Sequence, residues 1–351
     1  MSVPYRLIVP ASADRAVWLA ERRSLIGSSD VAAILGVAPR GTPQAVYYDK
    51  RGMLPLEEDA GEAALWGSLD EETTAREWAR RNRSVVRRIG LIARKDATHR
   101  GCTLDRLVTE CPLDRHLPDR CALEVKHRSA WLAGKWRRSV PDDVLAQVLW
   151  QIHVTGMDHV HVACRIGGND FRQYAVRRAD HTDLIADIVT AVDRFWHEHV
   201  LAGRVPPLSG AEDPDAVLDL YDRLHPDRDG IARLDGQAAA DATEALLEYE
   251  TQRLAEGRAK KAKARAKARL VELLDSAEAA VLYDQTVAAY SLDAVTRDGD
   301  PLTRSNVDLD RLAELHPAAY ADCVTEAPYR RLSIARERRL TEEDIDVSVS
   351  A

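Results

Sequence analysis

The stretch that most constrains this chain is Cys121-Ala122-Leu123-Glu124-Val125-Lys126, preceded by Thr103-Leu104-Asp105-Arg106-Leu107-Val108. On a strand, side chains at i and i+2 leave the same face. Glu124 and Lys126 therefore point to one place while Leu123 and Val125 pack behind the sheet. If the Asp105 run is the neighbouring strand, a second carboxylate arrives beside the first. Two carboxylates and a lysine on one sheet face suit a divalent metal, a bound water and a phosphodiester. An isolated Glu-x-Lys is just as well an ordinary surface pair, so the rest of the chain has to decide.

The chain has 351 residues, enough for two domains with sizeable cores. Its 45% hydrophobic and 30% charged content is that of a folded soluble protein. No apolar run approaches the length of a membrane span, and no secretory signal is visible at the N-terminus. Five cysteines, an odd number with no Cys-x-x-Cys pair, argue against a disulfide framework, a zinc ribbon or a cysteine-ligated cluster, and for a reducing cytoplasm. The net charge of −8 speaks against a nucleic-acid partner until its distribution is read. Between Arg76 and Lys95 there are eight Lys/Arg and one acid, Glu77. Lys135, Arg137 and Arg138 follow the Glu-x-Lys strand, while acids gather at Glu57–Glu62 and Asp213–Asp229. A basic lane on an acidic body is compatible with gripping a phosphate backbone in one place.

The N-terminal part reads as helices. Ala16-Val17-Trp18-Leu19 runs into Arg22 and Arg23, and then comes Ile26-Gly27-Ser28-Ser29-Asp30-Val31 with a stop at Gly36. Ser29 or Asp30 is the expected N-cap. Free N–H groups at that helix start, with serine hydroxyls and a nearby arginine, can form an anion site, although capped helices without one are commoner. A helix restarts at Gly41-Thr42-Pro43, and another is expected from Ala63 to about Arg81. In the latter, Glu71, Ala75 and Trp78 share a face, with Asp70 and Glu72 about 100° to either side. A carboxylate on that apolar face needs a metal or a cation.

Ser84 to Ile92 reads as a strand, and after the Glu124 strand Pro141 opens a helix on which Gln147 and Gln151 share a face. His159 to Arg165 alternates, turns at Gly167-Gly168-Asn169-Asp170 and returns through Phe171–Val176. An alternating hairpin accounts for His159 and His161 without a metal. Ile185, Ile188, Val192, Phe195 and Trp196 mark a closing helix before Pro206-Pro207. Past Leu208 the composition changes to acidic loops. A long Ala/Glu/Lys/Arg helix follows, from Ala238 to about Leu274 and basic from Arg258 to Arg269, then short strand-like runs at 281–283, 287–290 and 330–334. No nucleotide-binding glycine loop and no repeat is visible.

An acid on a helix, an Asp on a strand, Glu-x-Lys on the next and a Gln-bearing helix: this order resembles the PD-(D/E)XK nuclease superfamily. Within it the chain is similar to the YqaJ-type viral recombinase family, which is related to the lambda-type exonucleases. The resemblance covers about residues 14–207. It is carried by Arg22 with Ile26–Val31, by Trp66-Gly67-Ser68-Leu69-Asp70-Glu71, and by Leu104-Asp105, Glu124-Val125-Lys126 and Ala146-Gln147. Leu104 departs from the proline of many relatives, and the connection from Asp105 to Glu124 is long.

The resemblance implies an α/β (α+β) core with a mixed central sheet flanked by helices. This would be a nuclease domain at 1–208 followed by a coiled-coil-like accessory region at 209–351. It implies Mg²⁺ or Mn²⁺ held by Asp105 and Glu124, with the Val125 carbonyl and Glu71 completing the shell. Lys126 would orient and activate water, Gln147 would support it, and Arg22, Ser28 and Ser29 would bind a DNA 5′-phosphate. The implied activity is exonucleolytic digestion of linear double-stranded DNA from its 5′ ends in the cytoplasm of a bacterial host. A ring-type homo-oligomer would do this and supply single strands to an annealing protein. The alternatives are a PD-(D/E)XK endonuclease and a non-catalytic DNA-binding recombination scaffold.

Overall fold

A computed structural model describes residues 3–56, 61–113, 121–227, 230–275, 279–282, 285–289 and 309–324. In chain order the elements are β1 (Tyr5–Val9), α1 (Arg15–Arg23), α2 (Ser28–Ile34), α3 (Pro43–Lys50), α4 (Gly61–Asn82), β2 (Val86–Arg87), β3 (Leu91–Arg94), β4 (Gly101–Cys102), β5 (Arg106–Val108) and β6 (Cys121–Arg128). Then come α5 (Asp142–Thr155), β7 (His159–Ile166), β8 (Asp170–Arg177), α6 (Thr182–Phe195) and α7 (Pro214–Leu224). The C-terminal elements are α8 (Gly236–Leu274), β9 (Ala279–Leu282), β10 (Gln285–Ala289), α9 (Leu309–Leu315) and α10 (Pro317–Cys323).

The Glu-x-Lys strand β6 is the middle of a mixed five-stranded sheet of order β2-β5-β6-β7-β8. It pairs antiparallel with β5 and parallel with β7. A parallel pair needs a crossover, and α5 supplies it. That helix starts after Pro141 and stops at Gly156, whose φ of +74° suits a residue without Cβ. The hairpin from β7 to β8 turns on Gly167 and Gly168, both at positive φ, where the turn residues were expected.

The two sheet faces carry different cores. On one side α2, α5 and α6 cover Ala122, Val160, Val162 and Cys164, with Trp150 and Phe195 in the same cluster. On the other, α4 presents Ala75 and Trp78 to Cys121, Leu123, Val125 and Ala163. Leu123 and Val125 thus pack behind the strand, as their alternation requires.

The strand read from Ser84 to Ile92 is in fact two strands in two sheets. Arg87 is the last paired residue of β2, whereas Leu91–Arg94 joins β1 and β4 in a separate three-stranded sheet. Gly90 sits at the crossing, where a Cβ would overlap the Val9 carbonyl. The helix expected to be capped by Ser29 or Asp30 is capped two to three residues earlier. Gly27 is the N-cap and Asp30, at N3, accepts from the Gly27 N–H at 2.8 Å. Sequence preference favoured a hydroxyl or carboxylate at the cap itself, but here the third-position carboxylate does the capping.

The chain divides into two compact units, residues 1–229 and 230–351. Helix α7 belongs to the first, where the Tyr221 hydroxyl donates to Gln44 Oε1 at 3.2 Å and Gln44 Nε2 donates to the Pro206 carbonyl at 3.0 Å. In the second unit α8 runs for 39 residues, about 58 Å at 1.5 Å per residue. Strands β9 and β10 form an antiparallel hairpin, and α9 packs with α10. The strand-like run at 330–334 lies outside the described residues.

Candidate active site

Asp105 directly precedes β5, whose register sets Arg106 opposite Leu123 and so brings Asp105 to Glu124. The Asp105 Oδ2 atom accepts from the Val125 N–H at 2.7 Å. Glu124, only 2% exposed, takes three donors: Lys126 Nζ and Gln147 Nε2 (2.6 Å) on Oε1, and Gln151 Nε2 (2.7 Å) on Oε2. Lys126 Nζ also donates to Gln147 Oε1 at 2.9 Å. The period of two on β6 and of about four on α5 has put these groups together, so Asp105, Glu124, Lys126 and Gln147 form one cluster. Gln151 joins it as a direct partner of Glu124, closer to the acid than a shared helix face alone implied.

Glu71 meets this cluster from α4 along a different route. Its Oε1 accepts from Arg106 Nη1, and the same guanidinium donates to Glu72 Oε2 at 2.7 Å. The cation demanded by a carboxylate on that helix face is therefore Arg106, itself 3% exposed. Asp70, rotated off that face, pairs with Arg165 and lies 3.6 Å from His127 Nε2, which clamps α4 to the C-terminal ends of β6 and β7. Glu71, Asp105 and Arg106 line a cleft of about 470 Å³ together with Arg15 and Trp18 of α1.

Charge in the cluster is unbalanced. Among the described residues, Lys126 is the one cation bonded to either carboxylate side chain of the Asp105–Glu124 pair. Burial, then the negative charge of Glu124, push the Asp105 carboxyl well above the ordinary aspartate range. Lys126 and the Val125 N–H offset that only in part, and Glu71 adds to it. Oxygen donors crowded with negative charge beside an open cleft are the donor set that a hard divalent cation takes, so the residues fit Mg²⁺ or Mn²⁺.

The expected phosphate residues lie in a second cleft, of about 430 Å³, lined by Arg22, Ser29 and Asp30 and sharing Arg15 with the first. Arg22 Nη2 donates to Ser29 Oγ and to Asp30 Oδ1, both at 2.8 Å. Ser28 is buried, 5% exposed, and does not line this cleft. The side chain of Lys50, fully buried, sits 2.8 Å from Asp30 Oδ2. Burial alone would raise the Asp30 carboxyl, but Lys50 and Arg22 outweigh it and hold the pKa below the ordinary value. No local pattern announces Lys50, whose pairing with Asp30 spans α2 and α3.

Residues 17–158 match the family model of the YqaJ-like viral recombinase domain. A Bacillus subtilis (strain 168) protein described as uncharacterized protein YqaJ is 28% identical over 325 residues, covering 90% of this chain and 93% of its own. The crystal structure of an alkaline exonuclease, LHK-Exo from Laribacter hongkongensis, is 20% identical over 52% of this chain and 91% of its own, with a TM-score of 0.41. The same protein in complex with dAMP gives 0.42. The Asp105 and Glu124-x-Lys126 pairing lies under the helix that bears Gln147 and Gln151. Among the described residues, every side chain bonded to Glu124 lies within residues 17–158, the stretch that matches the YqaJ-like viral recombinase domain.

Proposed function

We propose that this chain is a metal-dependent deoxyribonuclease of phage-type recombination. It digests linear double-stranded DNA from 5′ ends and exposes single strands for an annealing partner. The observation that carries the reading is the closed group of Asp105, Glu124, Lys126 and Gln147. Asp105, Glu124, the Val125 carbonyl and Glu71 are the groups that would hold Mg²⁺ or Mn²⁺. Bound there, the metal would offset charge on the phosphodiester and favour hydroxide near neutral pH. Lys126, held by Glu124 and Gln147, is placed to orient the attacking water and to offset negative charge on the phosphodiester. Arg106 keeps Glu71 aimed at the cleft.

Direction comes from the neighbouring cleft. Arg15 lines both clefts, so a DNA end seated at Arg22 and Ser29 would have its adjoining phosphodiester close to Asp105. Ring assembly and an annealing partner belong to this reading as the way digestion would be made processive and used. The second reading, an endonuclease, is favoured by one observation: Arg22 already has a carboxylate partner in Asp30.

The test is to incubate the full chain with end-labelled linear and closed-circular duplex, with and without Mg²⁺. Metal-dependent loss of linear duplex alone supports the exonuclease. Cutting of circles supports the endonuclease, and no cleavage of either leaves the scaffold. No helix among the described residues is long and apolar enough to cross a membrane.

A further inference from the structure

Four side chains that the nuclease reading leaves unused meet on the opposite face of the same sheet. Cys111 lies three residues beyond β5, Cys121 opens β6, and His159 and His161 stand on β7. The parallel register sets Cys121 beside His159 and Leu123 beside His161, so the cysteine and both imidazoles leave one face. Cys111 Sγ is 3.1 Å from His159 Nε2 and 3.5 Å from His161 Nε2. One ligand atom from each of the four residues lies within 4.8 Å of the others, and all four residues are buried. Trp78 of α4 closes the site, its ring centroid 4.9 Å from that of His161.

We propose that Cys111, Cys121, His159 and His161 form a structural Zn²⁺ site. Zinc takes two thiolates at about 2.3 Å and two imidazoles at about 2.0–2.1 Å in a tetrahedron, which sets neighbouring S and N atoms roughly 3.5 Å apart. The two Cys111–His separations already match that spacing. Four protein ligands leave no open position, as structural sites require, and the set is too soft for Mg²⁺. On binding, both thiols release their protons to solvent and the two Zn–S bonds replace the S–H bonds. Cys111 and Cys121 stand at the two ends of the connection from β5 to β6. One ion would tie both ends to β7 and brace the strand that carries Glu124 and Lys126 from behind. The ligand spacing, nine residues between the cysteines and a lone His-x-His, has none of the short cysteine pairs by which zinc sites are read from sequence.

The test uses the full chain, expressed with zinc and purified with a reductant. About one zinc per chain is expected by elemental analysis. Exchange of that zinc for cobalt should give tetrahedral d–d absorption and a thiolate-to-cobalt charge-transfer band. The cobalt spectrum is read on the unmutated chain, so it does not depend on whether a ligand variant folds. Cys111→Ser and His161→Asn should each lose the metal and the charge-transfer intensity or its tetrahedral form, whereas Asp105→Asn should keep both. Limited proteolysis should cleave between residues 111 and 121 only after zinc is removed. No zinc and no cobalt spectrum would overturn the site. So would zinc lost in Asp105→Asn but kept in Cys111→Ser, or a Cys111–Cys121 disulfide that survives the reductant.

Discussion

Glu124 carries three hydrogen bonds on two oxygens while only 2% of it is exposed, so its substitutions separate folding from chemistry. Glu124→Ala strands the Lys126 ammonium and two amide donors, and removing one partner of a buried pair costs about 3–5 kcal/mol. Glu124→Gln keeps the shape and part of the bonding, so urea unfolding should show a loss of only about 1 kcal/mol. Both should abolish Mg²⁺-dependent digestion. Lys126→Ala should also be inactive yet still bind metal by calorimetry, because the carboxylates remain. Full digestion by Lys126→Ala would exclude it from the mechanism. The placement of Glu124, Lys126, Gln147 and Gln151 was legible because the i, i+2 and i, i+4 rules are local geometry. The capture of Glu71 by Arg106 joins residues 35 apart in sequence, and no periodicity encodes it.

At the scale of elements, α1, α2 and α3 form one electrostatic knot, and adjacent arginines in it have different work. Arg22 faces the cleft and Ser29, whereas Arg23 donates to Asp49 Oδ1 at 3.2 Å and to the carbonyls of Leu54 and Pro55, both at 2.8 Å. Arg22→Ala should slow digestion of 5′-phosphorylated duplex roughly ten- to a hundredfold, as loss of one charge-assisted contact of about 1.5–3 kcal/mol predicts, and leave 5′-hydroxyl duplex unchanged. Equal slowing on both ends would remove the phosphate role. Arg23→Ala should instead lower stability, by about 2 kcal/mol, so it is no neutral comparison, and the exposed Arg40 serves better.

Asp30 gives the knot its pH dependence. Its pKa is lowered on folding, so its stabilisation is complete above the ordinary aspartate value and is lost as pH falls through the lower folded value. The stability gap between wild type and Asp30→Asn should be largest near neutral pH and shrink in acid, read by urea unfolding at each pH. A gap constant with pH would show that the charge is not what holds Lys50. The helix and its stop at Gly36 were legible. The true cap was not, because Gly27 serves as N-cap only once Ile26 is fixed by pairing with the chain at His99 and Gly101.

For the whole molecule, net charge is a poor guide because the positive charge is segregated. The long, exposed α8 carries seven Lys/Arg between Arg258 and Arg269, in a chain whose net charge is −8. Composition alone made this helix legible, since an alanine-rich run with charges all round folds as a helix without needing a tertiary face. How far the first unit extends was less so: α7 lies past the composition change at Leu208, yet its Tyr221 is tied to Gln44. If α8 grips duplex, each basic residue that neutralises a phosphate adds about 0.9 to the slope of log affinity against log salt. Replacing Lys260, Lys263, Lys267 and Arg269 by glutamine preserves helix propensity. It should lower that slope by roughly 2–4 and weaken duplex binding several-fold at moderate salt, while digestion at saturating protein stays near wild type. A slope unchanged by the four substitutions would mean that α8 does not touch the DNA backbone. The basic residues of the first unit, Arg76 to Lys95 and Lys135 to Arg138, would then carry the whole electrostatic contact.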